Sequence, residues 1–206
     1  MLIDRYSLFI FDWDGTLATS TTLVRAARLL QTRYNVKKLP KRGSGLRADS
    51  RAELVEAVKI NRLYAFLYEL YSAFYKPKLK PGALDLLKLL KKRGKKIAIF
   101  SDANRHRLHI EARKLGAEKY ADFMLSAASI GRYKPDPTGI TKIVERLGAG
   151  KGKSIYIGDM AVDVYVARFA GVASCAVSDG VDPEDVLREA KPAYLVPNLK
   201  AIKSIK

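Results

Sequence analysis

Six short apolar runs alternating with amphipathic stretches leave this chain few folds to choose from. The runs are Ser7–Phe11, Lys96–Phe100, Phe123–Ser126, Ser154–Ile157, Ala173–Val177 and Ala193–Val196. Helical pattern fills Pro81–Arg93, Arg105–Leu115, Pro137–Leu147, Met160–Ala170 and Pro183–Ala190. Several of these open on proline or an acid and close near Gly94, Gly116, Gly148 or Gly171, as helix ends do. Apolar strands alternating with helices predict an α/β fold: a parallel sheet with both faces covered. Functional groups in such sheets collect beyond the carboxyl ends of the strands.

From about Thr19 to Lys80 the rhythm breaks, and only helical pattern remains. Leu63, Leu67, Leu70 and Phe74 make one apolar face, with Tyr64, Tyr68, Tyr71 and Tyr75 beside it. Such a stripe reads as core packing. Pro77, Pro81 and Gly82 mark the return to the sheet. The reading is a core of residues 1–18 and 80–206, with a small helical unit of residues 19–79 inserted after the first strand.

The first run ends in Asp12-Trp13-Asp14-Gly15-Thr16. Side chains two apart at a strand end point the same way, which brings Asp12 and Asp14 into one small space. Two close carboxylates repel unless a cation or a shared proton offsets them. That suggests a hard metal ion with a nucleophile and an acid/base group. A surface turn would explain the glycine but not the apolar run leading into it.

Other strand ends carry groups of the same kind. Ser101-Asp102-Ala103-Asn104 offers a hydroxyl and backbone amides before a helix, fitting either a phosphate clamp or an N-cap. Lys134 sits in Tyr-Lys-Pro-Asp-Pro, a stiff segment able to hold an ammonium over a site. Gly158-Asp159 and Asp163 place two acids four apart at a helix start, to cap it or to serve a metal. His106 and His109 have no third ligand in view and read as surface or packing residues.

Charge and composition bound the rest. Thirty-eight Lys and Arg against 21 Asp and Glu give a net charge of +17, which suits an anionic substrate or a nucleic acid. No nucleic-acid motif accompanies it. The Lys91–Lys96 cluster falls where a helix C-terminus favours cations, so a solvated basic surface is the simpler reading and a nucleic-acid partner is not expected. No apolar run is long enough to span a membrane, no secretory signal is visible, and one cysteine, Cys175, fits a reducing compartment. These features predict a cytoplasmic protein with a buried, structural thiol.

Taken together, Asp12–Thr16, Ser101, Lys134 and Gly158–Asp163 resemble the four motifs of the haloacid dehalogenase superfamily, and more narrowly its phosphatases. The likeness covers essentially the whole chain. Residues 19–79 look like the family's type 1 cap, and Lys191–Leu199 like the closing strand of phosphoglycolate-phosphatase-like members. Ala18-Thr19-Ser20 and Ser-Asp-Ala at 101–103 depart from commoner family patterns without removing a catalytic group.

The resemblance implies a Rossmann-like core with the first strand central, and a Mg²⁺-dependent reaction through an aspartyl-phosphate. Asp12 is then the nucleophile and Asp14 the general acid and base. Mg²⁺ is held by the Asp12 carboxylate, the Asp14 carbonyl and Asp159. Ser101, Lys134 and amides near Gly15 and Ala103, with Thr16 and Asp102 alongside, bind the phosphoryl group. Asp163 acts behind these, through water or by orienting Lys134. An acid at position 14 favours phosphatases and phosphomutases within the superfamily. The expected substrate is a small phosphorylated metabolite, phosphoglycolate-like by resemblance. Alternatives are a phosphomutase, or a basic nucleic-acid-binding protein on a phosphatase-like scaffold. The Gly43–Arg47 loop either reaches over the site through Arg47 to contact the leaving group or simply connects helices.

Overall fold

The computed structural model describes residues 1–19 and 77–205. Its centre is a six-stranded parallel sheet in the order β3-β2-β1-β4-β5-β6. The strands are β1 (Leu8–Phe11), β2 (Lys96–Ser101), β3 (Phe123–Ser126), β4 (Ser154–Gly158), β5 (Ala173–Val177) and β6 (Tyr194–Val196). The helices are α1 (Leu2–Arg5), α2 (Ala83–Lys92), α3 (Arg105–Lys114), α4 (Ala127–Ile130), α5 (Thr138–Arg146), α6 (Ala161–Ala170) and α7 (Glu184–Ala190).

β1 lies between β2 and β4, and its four side chains divide between two cores. Phe9 and Phe11 pack with Leu86 and Leu90 of α2 and Leu108 of α3. Leu8 and Ile10 face the opposite side, with Ile140 and Ile143 of α5 and Val166 of α6. Residues two apart share a sheet face, so only an apolar residue at every position fills both cores. Each such side chain contributes about 1.5–3 kcal/mol on burial. The unbroken apolar run is therefore a consequence of the strand's central place.

The six runs read from sequence become these strands, with ends shifted by a residue. Pro81 and Gly82 form a turn ahead of α2, and Met160 and Pro183 stand as the caps of α6 and α7. The basic residues sit where the macrodipole favours them, Lys91 and Lys92 closing α2 and Arg113 and Lys114 closing α3. Cys175 is buried in β5. Burial pushes its thiol pKa up to about 12, as a structural role requires. His106 is exposed and His109 pairs with Glu118, consistent with surface and packing roles.

After β1 the chain runs through residues 12–19 toward the insertion and comes back at 77–80. The two connections lie side by side: Ala18 bridges Leu79 antiparallel, Thr19 N donates to Lys78 O at 2.8 Å, and Lys80 N to Leu17 O at 2.9 Å. The expected unit 19–79, with its leucine and tyrosine stripes and Arg47, falls almost wholly on residues 20–76, outside the described residues. No helix among the described residues is long and apolar enough to cross a membrane.

Candidate active site

β2 and β3 lie on one side of β1, and β4 to β6 on the other. The chain therefore reverses direction across the β1–β4 seam, where sheets of this kind bind ligands. Above that seam sit Asp12, Lys134, Asp159 and Asp163, each less than a tenth exposed. Lys134 Nζ donates to Asp12 Oδ1 at 2.6 Å and to Asp163 Oδ1 at 2.9 Å. Its ammonium also lies 5.8 Å from the centre of the Phe100 ring and 5.5 Å from that of Tyr156, within cation–π range. Burial disfavours the ammonium, yet Asp12 and Asp163 outweigh it and hold the Lys134 pKa well above the ordinary lysine value. Lys134 is thus a fixed positive charge beside Asp12.

Asp163 does two jobs. Its Oδ2 accepts the Asp159 and Met160 amides at 3.1 and 3.0 Å, capping α6, while Oδ1 takes Lys134 and the Tyr156 hydroxyl. Of the two readings left open by the sequence, to cap the helix or to serve a metal, the structure shows the cap. Burial drives the Tyr156 phenol well above its ordinary pKa, so it stays a neutral donor.

Asp159 is held from two directions. Thr16 Oγ1 donates to its Oδ1 at 2.7 Å, and Val181 N to its Oδ2 at 2.7 Å. Two glycines let backbone come this close. A Cβ on Gly15 (φ +88°) would stand 2.3 Å from Asp159 Oδ2, and one on Gly180 would stand 2.1 Å from Asp159 Cβ. Carboxylate oxygens of Asp12, Asp159 and Asp163 lie within 4.8 Å of one another. Among the described residues, three ionised carboxylates around the Lys134 ammonium leave an excess of two negative charges in a buried space. All-oxygen donors with that excess fit a hard divalent cation.

A family model for haloacid dehalogenase-like hydrolases matches residues 9–177. The chain belongs to that family. It is 26% identical to a phosphoglycolate phosphatase of Pseudomonas fluorescens, over 95% of this chain and 78% of that one. It is 25% identical to the pyrophosphatase PpaX of Halalkalibacterium halodurans, over 96% of each. Among solved structures, a HAD family hydrolase from Deinococcus radiodurans with bound phosphate and sodium superposes with a TM-score of 0.69 at 20% identity, over 97% of this chain and 94% of that one. A haloacid dehalogenase-like family protein from Streptococcus pneumoniae gives 0.65 at 21% identity over 98% of each. These two share the fold.

In this haloacid dehalogenase-like hydrolase the other expected residues that the structure describes have partners of their own. Ser101, fully buried at the end of β2, accepts the Ala103 amide on its hydroxyl at 3.1 Å. Asp102 Oδ1 accepts the Lys134 amide at 3.3 Å, steadying the lysine segment. Gly15 N donates to Ala18 O at 2.8 Å, shaping the loop, and Thr16 serves Asp159. Asn104 caps α3 by accepting the Arg107 amide at 2.8 Å. Asp14 stands apart from the three-carboxylate group: its Oδ1 pairs with the Arg107 guanidinium.

Several site residues carry no signal in the sequence. Arg107 lies on α3 and is anchored by Glu111. Lys80, nearly buried, donates to Gly15 O at 3.1 Å and to Asp179 Oδ1 at 2.6 Å, linking the returning chain to the Asp12–Thr16 loop and the loop after β5. Asp182 Oδ2 accepts the first amide of α6, from Ala161, at 2.7 Å. The single available clue is the run Ser178-Asp179-Gly180 after a strand, matching the other acid- and glycine-bearing strand ends.

Proposed function

We propose that this hydrolase is a Mg²⁺-dependent phosphatase acting on a small phosphate monoester by way of an aspartyl-phosphate on Asp12. The observation that carries the reading is the pair of hydrogen bonds donated by Lys134 Nζ, to Asp12 Oδ1 at 2.6 Å and Asp163 Oδ1 at 2.9 Å, beside Asp159. With its pKa held well above the ordinary lysine value, this ammonium keeps its proton at neutral pH and is no general base. It serves instead to neutralise a nucleophilic carboxylate and then the equatorial oxygens of a transferring phosphoryl group.

In the first step an Asp12 oxygen forms a bond to phosphorus. The bond to the leaving oxygen breaks, and that oxygen takes its electron pair and a proton from the Asp14 carboxyl. In the second, the Asp14 carboxylate takes a proton from water. The water oxygen bonds to phosphorus, and the Asp12–phosphorus bond breaks to free phosphate. Ser101, Lys134, Asp102, Thr16 and the amides around Gly15 and Ala103 surround the phosphoryl position, and Asp163 holds Lys134 in place. Asp12, Asp159 and the Asp14 carbonyl would hold the Mg²⁺. When bound, the ion supplies a fixed positive charge against the phosphoryl oxygens.

Residues 19–79 serve, on this reading, as a cap that selects the substrate, entering and leaving through the paired connections at Ala18 and Leu79. The names of the relatives favour a small anionic substrate, with phosphoglycolate leading and pyrophosphate next. A single buried cysteine supports a cytoplasmic setting. The test is hydrolysis of p-nitrophenyl phosphate with and without Mg²⁺, by wild type and Asp12→Asn. Metal-dependent turnover that disappears in the variant supports the reading, and turnover that survives in Asp12→Asn overturns it.

A further inference from the structure

Asp14 is almost fully buried, and its carboxylate faces α3. Arg107, whose side chain is 9% exposed, donates to Asp14 Oδ1 through a terminal guanidinium nitrogen. The same guanidinium is held from behind, its Nε donating to Glu111 Oε1 at 2.9 Å one helical turn along. Glu111 is fixed in turn, its Oε2 accepting the Trp13 indole N–H at 2.7 Å. Trp13 is fully buried. The path Asp14–Arg107–Glu111–Trp13 thus begins and ends on neighbouring residues of one loop, closing a ring of contacts through α3. The Asn104 cap on the Arg107 amide fixes the turn from which the guanidinium extends.

The ring is an expensive one for stability alone. It buries two carboxylates against a single guanidinium, and replacing such groups with apolar ones is often neutral or stabilising. Burial raises the Glu111 pKa even with Arg107 and Trp13 opposing it, so the site pays a desolvation cost to keep Glu111 there. What the ring provides is orientation. A carboxyl group turns easily about its last torsion. A planar guanidinium, held at Nε by Glu111 and donating from a terminal nitrogen to Oδ1, restricts that turning and favours one direction for the other oxygen.

We propose that Arg107 is a positioning residue for Asp14, aiming its carboxyl at the leaving-group oxygen, and that Glu111 and Trp13 hold Arg107 for this task. The inference rests on the reading of Asp14 as the acid that protonates the leaving group. It assigns part of the acid's efficiency to α3 of the core rather than to the inserted segment.

The test is a graded series of substituted phenyl phosphates of similar size, from p-nitrophenyl phosphate to phenyl phosphate, scored as kcat/KM with Mg²⁺. That ratio covers the steps through departure of the phenol, so it isolates the half-reaction in which the acid acts. A misaimed acid matters most for the poorest leaving group. Arg107→Met is expected to lose about tenfold or more kcat/KM on phenyl phosphate beyond its loss on the p-nitrophenyl ester. Arg107→Lys, which keeps a donor and the fold, recovers part of that difference. Asp14→Asn steepens the leaving-group dependence as well. Equal losses across the series in both Arg107 variants, with Asp14→Asn still steepening it, overturn the inference. A series left flat by Asp14→Asn overturns instead the acid reading beneath it.

Discussion

The Thr16 hydroxyl donates to Asp159 Oδ1 at 2.7 Å, across 143 residues of sequence and inside a fully buried space. Through this bond the loop after β1 holds the carboxylate delivered by β4. Partners behind a metal ligand commonly change its affinity about 10- to 100-fold. Thr16→Val keeps the shape and removes the donor. The Mg²⁺ concentration for half-maximal p-nitrophenyl phosphate turnover is expected to rise about tenfold, with saturated turnover falling less. An unchanged midpoint would show that Asp159 is aimed without Thr16.

Lys134 compensates two buried carboxylates, so its removal takes a buried positive charge from both. Lys134→Met is expected to lose about 3–5 kcal/mol of stability in urea unfolding without metal. Added Mg²⁺ should restore part of this loss and none of the activity, because the cation offsets the carboxylates but does not replace the ammonium on the phosphoryl oxygens. Equal stability with and without Mg²⁺ in this variant would contradict a metal held by Asp12 and Asp159.

Gly180 was not legible as a site residue, yet it supports one of its closest approaches. A Cβ there would lie 2.1 Å from Asp159 Cβ, a clash with a carbon fixed to the backbone. Gly180→Ala is expected to displace Asp159 and weaken both Mg²⁺ affinity and turnover by about tenfold or more, with the melting temperature moving much less. Full activity in Gly180→Ala would mean that the loop after β5 yields without disturbing the carboxylate.

Cys175 gives a prediction in pH. Its thiol pKa is raised to about 12 by burial, while an unfolded thiol titrates near 8.5. Between those values the unfolded chain releases the proton first, so this group's contribution to stability is intact below the window and declines as pH rises through it. The slope approaches about 1.4 kcal/mol per pH unit. Iodoacetamide at pH 8 should label Cys175 only after unfolding. Rapid labelling of the native protein would refute its burial.

The sheet and four of its strand-end groups were readable because each is a local pattern. β1 must be apolar at every position to serve two cores, and Asp12, Ser101, Lys134 and Asp159 each follow or stand near a recognisable strand end. Arg107 was not readable, because its meaning lies in Asp14, 93 residues away, and a charged residue on an amphipathic helix ordinarily faces solvent. Glu111 was hidden in the same way by its bond to Trp13. Gly15 and Thr16, read as phosphate-binding groups, also bond to Ala18 and Asp159, partners that spacing does not reveal. Spacing places a residue at a strand end, but the partner it takes depends on which other strand end the fold brings beside it.

The antiparallel bridge between Ala18 and Leu79 sets the two ends of the intervening segment at neighbouring points on the core. A chain spliced between them neither stretches nor compresses the sheet, whatever its length. The sheet and its carboxylates can therefore persist through generations of sequence change while the inserted stretch is rewritten, lengthened or traded. The core and the inserted stretch meet at one doorway but need not evolve together.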